Sequence, residues 1–568
     1  MPGFPTGIDL GTTHSLIAVL GEGGAPELVK GVDGSVLTPS VVGLSDSGTL
    51  LVGAAAHARR LSHPDKTHSL FKRHMGTGKE FDLGRKQYSA SDLAALVLRS
   101  LKSDFHAAYP GAEMESLVVS VPAYFSSVQR EATMLAAELA GLPRPRLINE
   151  PTAAALAYGL QDRQGESTFM VLDLGGGTFD VSIIEMFEGV MEVRASSGDT
   201  RLGGEDFTAM IALDMATGLG LGWQDISPGD RATFSIAAEA IKRRLSTADT
   251  AQATIPIAGG QVYRIARGEL EALCADLLIK LRRPIDRCLY DSGMSIDKID
   301  RVLLVGGATR MPMIRSLAAR TTRQLPEAGI DPDQVVALGA AIQAGLIQRN
   351  AALSDLVMTD VAPFSLGINS RVATAGGIID NGFTPIIERS TVLPVSRVQR
   401  FNTIADRQER IEFGVFQGES PIASENARIG SVGVSVPPSP AGQESIDVRF
   451  SYDPSGLLHV GVMVVSTGAK TEVIIEGSAV AMPADKRRRR IKALESLMVH
   501  PREESVNLAT LERLKTLYAM LLGEERTNSA ALLAHFEAAL ASQDQRRIEQ
   551  TREEVEAAAA QIEQNYVR

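Results

Sequence analysis

Two short stretches of the chain carry an aspartate, glycines and threonines in the same order. The first, DLGTTHS at 9–15, contributes Asp9, Gly11, Thr12 and Thr13, and the second, DLGGGTFD at 173–180, contributes Asp173, Gly175, Gly176, Gly177 and Thr178. Because glycine has no side chain, a glycine-rich turn lets backbone N–H groups approach a bulky anion closely. Threonine hydroxyls add polar groups to the same turns. Both stretches are therefore typical of turns that bind phosphate.

An aspartate next to a phosphate needs a cation between the two negative groups. Mg²⁺ is a hard ion that prefers oxygen ligands and keeps several of its waters. We therefore expect Asp9 and Asp173 to hold Mg²⁺ through water molecules, and K⁺ is a second candidate cation. The two aspartates lie 164 residues apart, and the matching turns indicate an internal duplication whose two lobes close on one polyphosphate from opposite sides. The chain has no GxxxxGK[ST] motif, which excludes a P-loop enzyme.

The elements that position these turns alternate between strand-like and helix-like segments over about the first 355 residues. Segment 126–142 is typical of a helix, with Ser126 and Gln129 as a capping box and Gly141 at its end. A third glycine stretch, VGGATR at 305–310, joins a strand-like run to a helix-like run, a position suited to a nucleoside. This alternation predicts an α/β architecture.

After about residue 364 the pattern changes to short alternating strands. RIEFGVF (410–416) alternates apolar and polar residues, and SIDVRFSY (445–452) and LHVGVMV (458–464) indicate a hairpin across a turn at 453–456. These strands predict a compact β module. From about residue 484 the spacing of apolar residues becomes helical, and the basic run KRRRR (486–490) is interpreted as part of a solvated helix.

Composition and charge limit the classes of function. The 568 residues exceed a single hydrophobic core, so several domains are expected. A net charge of −11 and a pI near 5.5 argue against nucleic acid as a partner. No apolar run is long enough for a transmembrane helix, and the N-terminus lacks a signal-peptide pattern, so no membrane partner is expected. Two cysteines, Cys274 and Cys288, fit a reducing compartment, and we predict a cytoplasmic protein.

The glycine stretches resemble those of the actin-like (ribonuclease H-like) ATPases. Further motifs narrow the resemblance to the DnaK family of seventy-kilodalton heat-shock chaperones: VPAYFSSVQREAT (121–133), INEPTAAALAYG (148–159), GGEDF (203–207), DPDQVVALGAA (331–341), IADRQERIEFGVFQGE (404–419) and FSYDPSGLLHV (450–460). The resemblance implies a duplicated α/β ATPase domain at 1–355, a linker at 356–363, a β-sandwich peptide-binding domain at 364–483 and a short α-helical lid at 484–568.

The resemblance also implies the residues of the nucleotide site. Lys72, Glu150, Asp173, Thr178 and Asp180 would form the hydrolytic site, with Lys72 at the γ-phosphate positioning the attacking water. ATP or ADP with Mg²⁺ would further contact Gly203, Gly204, Glu239, Lys242, Arg243, Ser246, Gly306, Gly307, Arg310 and Asp333. The helical spacing independently places 239, 242, 243 and 246 on one face.

Two further sets follow from the resemblance. Pro122, Arg130 and Asp360 would relay between the ATPase and peptide-binding domains, and Ile368, Ile404, Ile411 and Phe413 would line the peptide channel. The implied function is an ATP-dependent chaperone that binds exposed hydrophobic segments of client polypeptides, with its affinity switched by Mg²⁺-dependent ATP hydrolysis.

Three departures from the family pattern point to its divergent bacterial HscC branch. The linker DLVMTD (355–360) is less uniformly aliphatic than usual, the stretch between GGEDF and VGGATR is short, and the tail ends in QNYVR without an acidic signature. These features favour a dedicated J-domain cochaperone and leave the nucleotide-exchange factor open.

Two other classes of function share the phosphate turns. A small-molecule kinase of the sugar-kinase type needs an acceptor pocket between the lobes and gives no role to the β module. An actin-like filament protein needs self-complementary faces and predicts no peptide binding.

Overall fold

The computed structural model describes most of the chain. The described ranges are 3–31, 34–45, 49–60, 63–84, 86–159, 166–187, 190–255, 260–327, 329–348, 353, 357–374, 377–453, 458–475, 505–521, 523–542 and 545–566. Most of the turn predicted at 453–456, the basic run 486–490 and the predicted linker residue Leu356 lie outside the described residues.

The first lobe of the α/β region is built on a mixed sheet. This sheet carries residues 11–13, here called the first phosphate turn. Strand Gly3–Leu10 pairs antiparallel with His14–Leu20 and parallel with Glu113–Val121, so residues 11–13 connect two neighbouring strands. In spatial order the sheet consists of Arg146–Asn149, Glu113–Val121, Gly3–Leu10, His14–Leu20 and Pro26–Leu28, with Thr38–Pro39 also paired to His14–Leu20.

Helices and two small sheets complete this lobe. The helices are Ala54–Ala58, Ala90–Ala108, Ser127–Leu139 and Glu150–Gly159, with 3-10 turns at Pro64–Lys66 and Phe71–His74. The small sheets are Val42–Leu44, Leu50–Val52 and Thr67–His68, and Glu80–Leu83 with Lys86–Ser89.

The helix Ser127–Leu139 shows why these local predictions succeed. Ser126 accepts a hydrogen bond from the N–H of Gln129, and the Gln129 side chain accepts one from the N–H of Ser126, so the predicted capping box is confirmed. The helix ends before Gly141, whose φ of +67° is the left-handed conformation that glycine tolerates best.

The second lobe repeats the arrangement around residues 175–178, here called the second phosphate turn. Strand Ser167–Leu174 pairs antiparallel with Phe179–Phe187 and parallel with Arg301–Val305, as Gly3–Leu10 does with its own neighbours. In spatial order this sheet consists of Arg301–Val305, Ser167–Leu174, Phe179–Phe187, Val190–Asp199, Val357–Val361 and Val392–Leu393. The matching pairing around both turns supports the expected internal duplication.

The helices of the second lobe include those that border the cleft between the lobes. They are Gly204–Gly218, Pro228–Leu245, Arg267–Leu273, Ala275–Ser292, Pro312–Thr322 and Val335–Ile347, with 3-10 turns at Ile296–Lys298 and Gly307–Arg310 and a hairpin of Thr250–Ile255 and Gln261–Ala266. Helix Val335–Ile347 returns to the first lobe, where a Cβ on Gly339 would collide with the backbone of Ala153. Small residues therefore let the central helices of the two lobes approach closely.

The β module consists of two four-stranded antiparallel sheets. One contains Gly377–Ile387, Leu366–Thr374, Arg410–Gln417 and Ala427–Ser435, and the other contains Val395–Asn402, Ser445–Tyr452, Leu458–Val464 and Lys470–Ile474, with a 3-10 turn at Ala423–Glu425. The inward-facing residues of both sheets share one core, which includes Val415, Val448, Phe450 and Val460. The alternation predicted for these strands thus produces a sandwich.

Three helices follow after the undescribed segment 476–504. They are Ser505–Met520, Gly523–Ser542 and Gln545–Tyr566, and they pack on one another around Leu514, Phe536, Ile548 and Val555. Within the described part of the chain, no helix has the length and apolar character needed to cross a membrane.

The segment between the α/β region and the sandwich is itself a strand. Val357–Val361, here called the linker strand, pairs parallel with Val190–Asp199 of the second lobe through Val357, Met358 and Thr359. Its last residues pair antiparallel with Val392–Leu393 of the sandwich. One continuous sheet therefore connects the two parts of the molecule.

Candidate nucleotide site and interdomain contact

The two phosphate turns face each other across the cleft. A Cβ built on Gly177 would lie 2.7 Å from Cγ2 of Thr12, and a Cβ on Gly176 would collide with the side chain of Thr13. Only glycine leaves room for the opposite threonines at this distance. The turns are therefore placed as two sides of one narrow space, as the sequence predicts.

The second turn is held by hydrogen bonds from the segment GGEDF. The N–H of Gly204 donates to the carbonyl of Gly175, and the N–H of Glu205 donates to that of Gly176, each at 2.9 Å. Arg73 pairs with Asp206 at 2.6 Å, which ties this segment to the first lobe. A Cβ on Gly203 would lie 2.6 Å from the backbone of Gly176, which explains the glycine there.

Four carboxylates and one ammonium group meet at the bottom of the cleft. Lys72 Nζ donates to Glu150 Oε1 at 2.7 Å, and both side chains are buried. Ser120 Oγ donates to Asp9 Oδ1 at 2.7 Å, and the N–H of Tyr124 donates to Asp180 Oδ1 at 3.0 Å. One oxygen each of Asp173 and Asp180 is buried without a hydrogen-bond partner.

This crowding changes the acidity of the carboxylates. Burial, and then the charge of Glu150, raises the pKa of Asp9 to about 7 and that of Asp180 to about 8. Burial, followed by the charges of Glu150 and Asp180, also raises the pKa of Asp173 well above its usual value. One lysine therefore faces more negative charge than it can neutralise, and the site is suited to a further cation.

The residues fit a magnesium ion held through water. In the described ranges no three His, Cys, Asp or Glu side chains are arranged to bind a metal directly. The unpartnered oxygens of Asp173 and Asp180 can instead accept hydrogen bonds from water. Asp9 and Asp173, one at the end of each lobe's central strand, lie in the cavity that these turns enclose.

The outer part of the cleft is lined by helix Pro228–Leu245. Lys242 Nζ donates to Glu239 Oε2 at 2.6 Å and to the carbonyl of Gly204 at 2.9 Å, and Arg243 Nε donates to Glu239 Oε1 at 2.8 Å. Burial opposes ionisation of Glu239, but Lys242, Arg243 and Thr208 outweigh it and lower its pKa to about 2. The helix therefore presents an ordered network of charges to the cleft.

The opposite wall is formed by the third glycine stretch. Gly306 has a φ of +81°, and a Cβ on Gly307 would lie 2.6 Å from Oδ1 of Asp333. Arg310 donates to Asp333 at 2.8 Å and to Asp331 at 2.6 Å. This fork fixes the Arg310 guanidinium at the rim of the cleft.

Two adjoining cavities contain most of the residues that the sequence predicts for the site. The inner cavity, about 70 Å³, is lined by Asp9, Gly11, Thr12, Thr13, Lys72, Glu150, Asp173, Gly175, Gly176, Thr178, Gly306, Gly307 and Asp333. The outer cavity, about 410 Å³, is lined by Thr13, Gly176, Gly204, Glu239, Lys242, Arg243, Ser246, Gly307, Arg310 and Asp333. Gly177, Asp180 and Gly203 lie next to these cavities without lining them.

Sequence reasoning missed several residues of the cleft. His14, Leu37, His57, Arg60, Leu70 and Met311 line the outer cavity. His14 also lines the inner cavity, and its place directly after the first turn was the one available signal. Ser120 and Tyr124, which hold Asp9 and Asp180, were not predicted as site residues, although Tyr124 lies inside the motif VPAYFSSVQREAT.

Two of the three predicted relay residues, Arg130 and Asp360, contact the buried side-chain amide of Asn149. Arg130 donates to Asn149 Oδ1 at 2.6 Å and to the carbonyl of Ala123 at 3.0 Å. Asn149 Nδ2 in turn donates to Asp360 Oδ2 at 2.8 Å. Burial raises the pKa of Asp360 to about 6, although Arg130 and the hydrogen bonds oppose this effect. Pro122 lies in the same loop, where its carbonyl accepts from the N–H of Phe125.

The sandwich contacts the α/β region beyond the linker strand. Arg389 forms two hydrogen bonds of 2.8 Å with the carboxylate of Asp291, which is only 4% exposed, and a third of 2.6 Å with Glu419. The N–H of Ser127 donates to Gln417 at 3.2 Å, so the capped end of its helix abuts the sandwich.

The four predicted channel residues occupy different environments. Ile368 and Phe413 are buried in the sandwich core, and Ile411 is half-buried against it. Ile404 is 62% exposed. Ile368, Ile411 and Phe413 thus contribute to the hydrophobic packing of the sandwich. Of the four residues, Ile404 alone is freely accessible to solvent.

The chain was compared with models of known protein families. A family model described as "Hsp70 protein" matches residues 5–568, nearly the whole chain. Proteins of this family are ATPases and ATP-dependent chaperones that act on client polypeptides with J-domain cochaperones. The protein belongs to the Hsp70 family.

Proposed function

We propose that this chain binds exposed hydrophobic segments of client polypeptides and releases them under control of Mg²⁺-dependent ATP hydrolysis. The observation that carries the proposal is the linker strand, which pairs with the sheet of the second phosphate turn and with the sandwich at once. An ATPase that did not regulate the sandwich has no need of this shared sheet. The proposed domains are 1–355, 356–363, 364–483 and 484–568.

The hydrolytic role rests on Lys72 and the carboxylates around it. Mg²⁺, when bound with ATP, would neutralise phosphate charge between the turns. Lys72 is fixed by Glu150, so its ammonium group is oriented before the nucleotide arrives. We propose that Lys72 positions the attacking water and that Asp180, which has a raised pKa and one oxygen without a hydrogen-bond partner, completes the hydrolytic site. The protein supplies position and charge, which is what phosphoryl transfer to water requires.

The proposed coupling runs through Asn149 and its neighbour Glu150. Asn149 binds Asp360 of the linker strand, and Glu150 binds Lys72 of the hydrolytic site. A change in lobe closure that moves Glu150 therefore also moves the partner of the linker. We propose that the docked arrangement, with Arg389 on Asp291, is the state that exchanges peptide quickly and is favoured by ATP.

The partners follow from the same proposal. We propose a cytoplasmic chaperone of the HscC branch with a dedicated J-domain cochaperone, supported by the short segment between residues 207 and 305 and by the departures in the linker. Neither alternative class explains the docked sandwich. A sugar-type kinase and an actin-like filament both leave the contact between Asn149 and Asp360 without a role.

The experiment that tests the function combines two measurements on the full chain. Release of a bound fluorescent apolar peptide is followed with and without Mg²⁺ and ATP, and phosphate production is measured without any acceptor. A chaperone releases peptide faster with ATP and hydrolyses ATP in water. A kinase makes no phosphate without an acceptor, and light scattering that rises with ATP would indicate a filament. Either result would refute the proposal.

A further inference from the structure

One titratable side chain of the cleft has no role in the hydrolytic site described above. His14 is the first residue of strand His14–Leu20, directly after the first phosphate turn, and it pairs with Pro39 of a neighbouring strand. Its backbone is therefore held by this neighbouring strand. Its side chain lines both the inner and the outer cavity, where the phosphate turns meet the outer part of the cleft.

The His14 imidazole is available to a ligand. In the described part of the chain neither of its ring nitrogens takes part in a hydrogen bond or an ion pair. The polar groups nearby are already engaged. Ser15 shares a hydrogen bond with Ser40, and Ser40 donates to the carbonyl of Gly11.

The charged groups facing His14 come from three elements. Helix Pro228–Leu245 contributes Arg243 and Glu239, the segment before helix Val335–Ile347 contributes Asp333, and helix Ala54–Ala58 contributes His57. The two carboxylates are committed elsewhere, since Glu239 binds Lys242 and Arg243, and Asp333 binds Arg310. Neither of the two carboxylates that face His14 is therefore free to hold an imidazolium.

This environment disfavours the charged form of His14. Burial, and then the charge of Arg243, lowers the pKa of His14 below its ordinary value of 6.5, against the weaker opposite effect of Asp333. A nucleotide would place several negative charges against the first turn, one residue away. Those charges would stabilise an imidazolium and raise the pKa in the complex.

We propose that His14 contacts the phosphate chain of a bound nucleoside di- or triphosphate as an imidazolium, so that nucleotide binding takes up a proton. The proposal rests on the nucleotide site proposed above. The proton comes from the solvent and adds to one ring nitrogen, with no bond broken. The nucleotide affinity of this ATPase then depends on pH through a group of the protein.

The direction of the pH dependence follows from linkage. Because the complex binds one more proton than the free protein between the two pKa values, affinity rises as pH falls through that interval. For one proton the change is at most about tenfold per pH unit. The phosphates of the nucleotide also titrate, but their protonation weakens binding at low pH and so has the opposite sign.

Two variants separate these contributions. His14→Asn keeps a polar side chain of similar reach but cannot carry a charge. His74→Gln is the matched control, because burial, followed by the charges of Lys79, Arg201 and Arg73, also lowers the pKa of His74, but His74 lines neither cavity. Both variants retain the titration of the nucleotide itself.

The test is calorimetric binding of Mg²⁺–ADP to the full chain in two buffers of different ionisation enthalpy, from about pH 6 to pH 8, the range in which histidine titrates. Wild type and His74→Gln should take up a fraction of a proton that His14→Asn does not. The ratio of wild-type to His14→Asn affinity should rise by about three- to tenfold from the highest to the lowest pH.

Three results would overturn the inference. They are an affinity ratio that does not change with pH, no proton uptake by wild type beyond that of His14→Asn, and loss of the uptake in His74→Gln instead. Should His14→Asn not fold, the wild-type measurement alone decides, because binding without proton uptake at any pH excludes the imidazolium. Wild type that binds no nucleotide at all would refute the proposed function itself.

Discussion

Asn149 donates its side-chain amide to Asp360 of the linker strand at 2.8 Å, while Glu150, the next residue, accepts the ammonium hydrogen bond of Lys72 at 2.7 Å. A single peptide unit therefore separates the contact that holds the linker strand from the contact that orients Lys72. Arg130 binds the other side of the Asn149 amide at 2.6 Å and fixes its orientation. The proposed control of peptide release by ATP depends on this adjacency.

Lys72→Met should reduce ATP hydrolysis by about 100- to 1,000-fold, because one preorganised positive group at the site of developing charge is lost. Methionine keeps the apolar stem in its buried position. Single-turnover phosphate release measures the effect. Lys86→Met, at an exposed position in the hairpin Glu80–Ser89, is the control and should hydrolyse ATP at the wild-type rate. If Lys72→Met hydrolysed ATP at a rate within a few-fold of wild type, Lys72 would not be part of the hydrolytic site.

The nucleotide-free protein should lose stability as pH rises through neutrality. Burial raises the pKa of Asp180 from 3.8 to about 8 in the folded state. The folded protein therefore binds more protons than the unfolded chain between these values, and the free energy of unfolding falls with pH by up to about 1.4 kcal/mol per unit for this group. Denaturant unfolding at several pH values measures the slope, and Asp180→Asn should flatten it. An equal slope in the variant would show that Asp180 is not the responsible group.

Arg389→Ala should weaken docking of the sandwich on the second lobe. The Asp291 side chain is 4% exposed, so removal of Arg389 takes away its two hydrogen bonds of 2.8 Å and leaves only the longer ion pair with Arg287 at 3.7 Å. ATP should then accelerate peptide release less than in wild type, while ATP binding persists. Arg400→Ala, which removes an exposed pair with Asp447 inside the sandwich, is the control. Equal acceleration in all three proteins contradicts a role for this contact.

Ile404→Asp should lower peptide affinity without unfolding the sandwich, because Ile404 is 62% exposed. Phe413→Asp should instead destabilise the domain, since a charge would enter its core. Fluorescence anisotropy of a labelled peptide and thermal unfolding distinguish the two effects. Ile378→Asp, at an exposed position on a different hairpin, is the control. Unchanged peptide affinity in Ile404→Asp would place the channel elsewhere.

Local sequence signals predict the parts of the fold that depend on local chemistry. The capping box of Ser126 and Gln129 and the positive φ of Gly141 follow from a few neighbouring residues, and the structure has both. The facing of the two phosphate turns was also predictable, because the matching turns indicate two similar lobes that close on one polyphosphate. The sequence could not reveal that Ser120 supports Asp9, or that Tyr124 supports Asp180, since these contacts join residues far apart in the chain.

The linker illustrates a further limit of the sequence. Its short apolar run does not identify the strand with which it pairs. Its departure from the usual aliphatic pattern does not determine how strongly it docks. In the structure the backbone of Val357, Met358 and Thr359 pairs with Val190–Asp199, and the Met358 side chain packs on the hydrophobic core, so main-chain pairing and this side chain hold the linker together. The sequence also could not show that Ile368 and Phe413 lie in the sandwich core. Core positions and channel positions follow the same alternation of apolar and polar residues.

The most direct test of the central claim is the rate of peptide dissociation with and without ATP in wild type and in Met358→Asp. Met358 packs on the core of the lobes, so a carboxylate there should prevent docking of the linker strand. The account predicts that ATP accelerates release from wild type but not from a variant that still binds ATP and peptide. Reciprocity of coupling then requires that peptide no longer change its ATP affinity. Equal acceleration by ATP in a folded Met358→Asp variant would contradict communication through this strand.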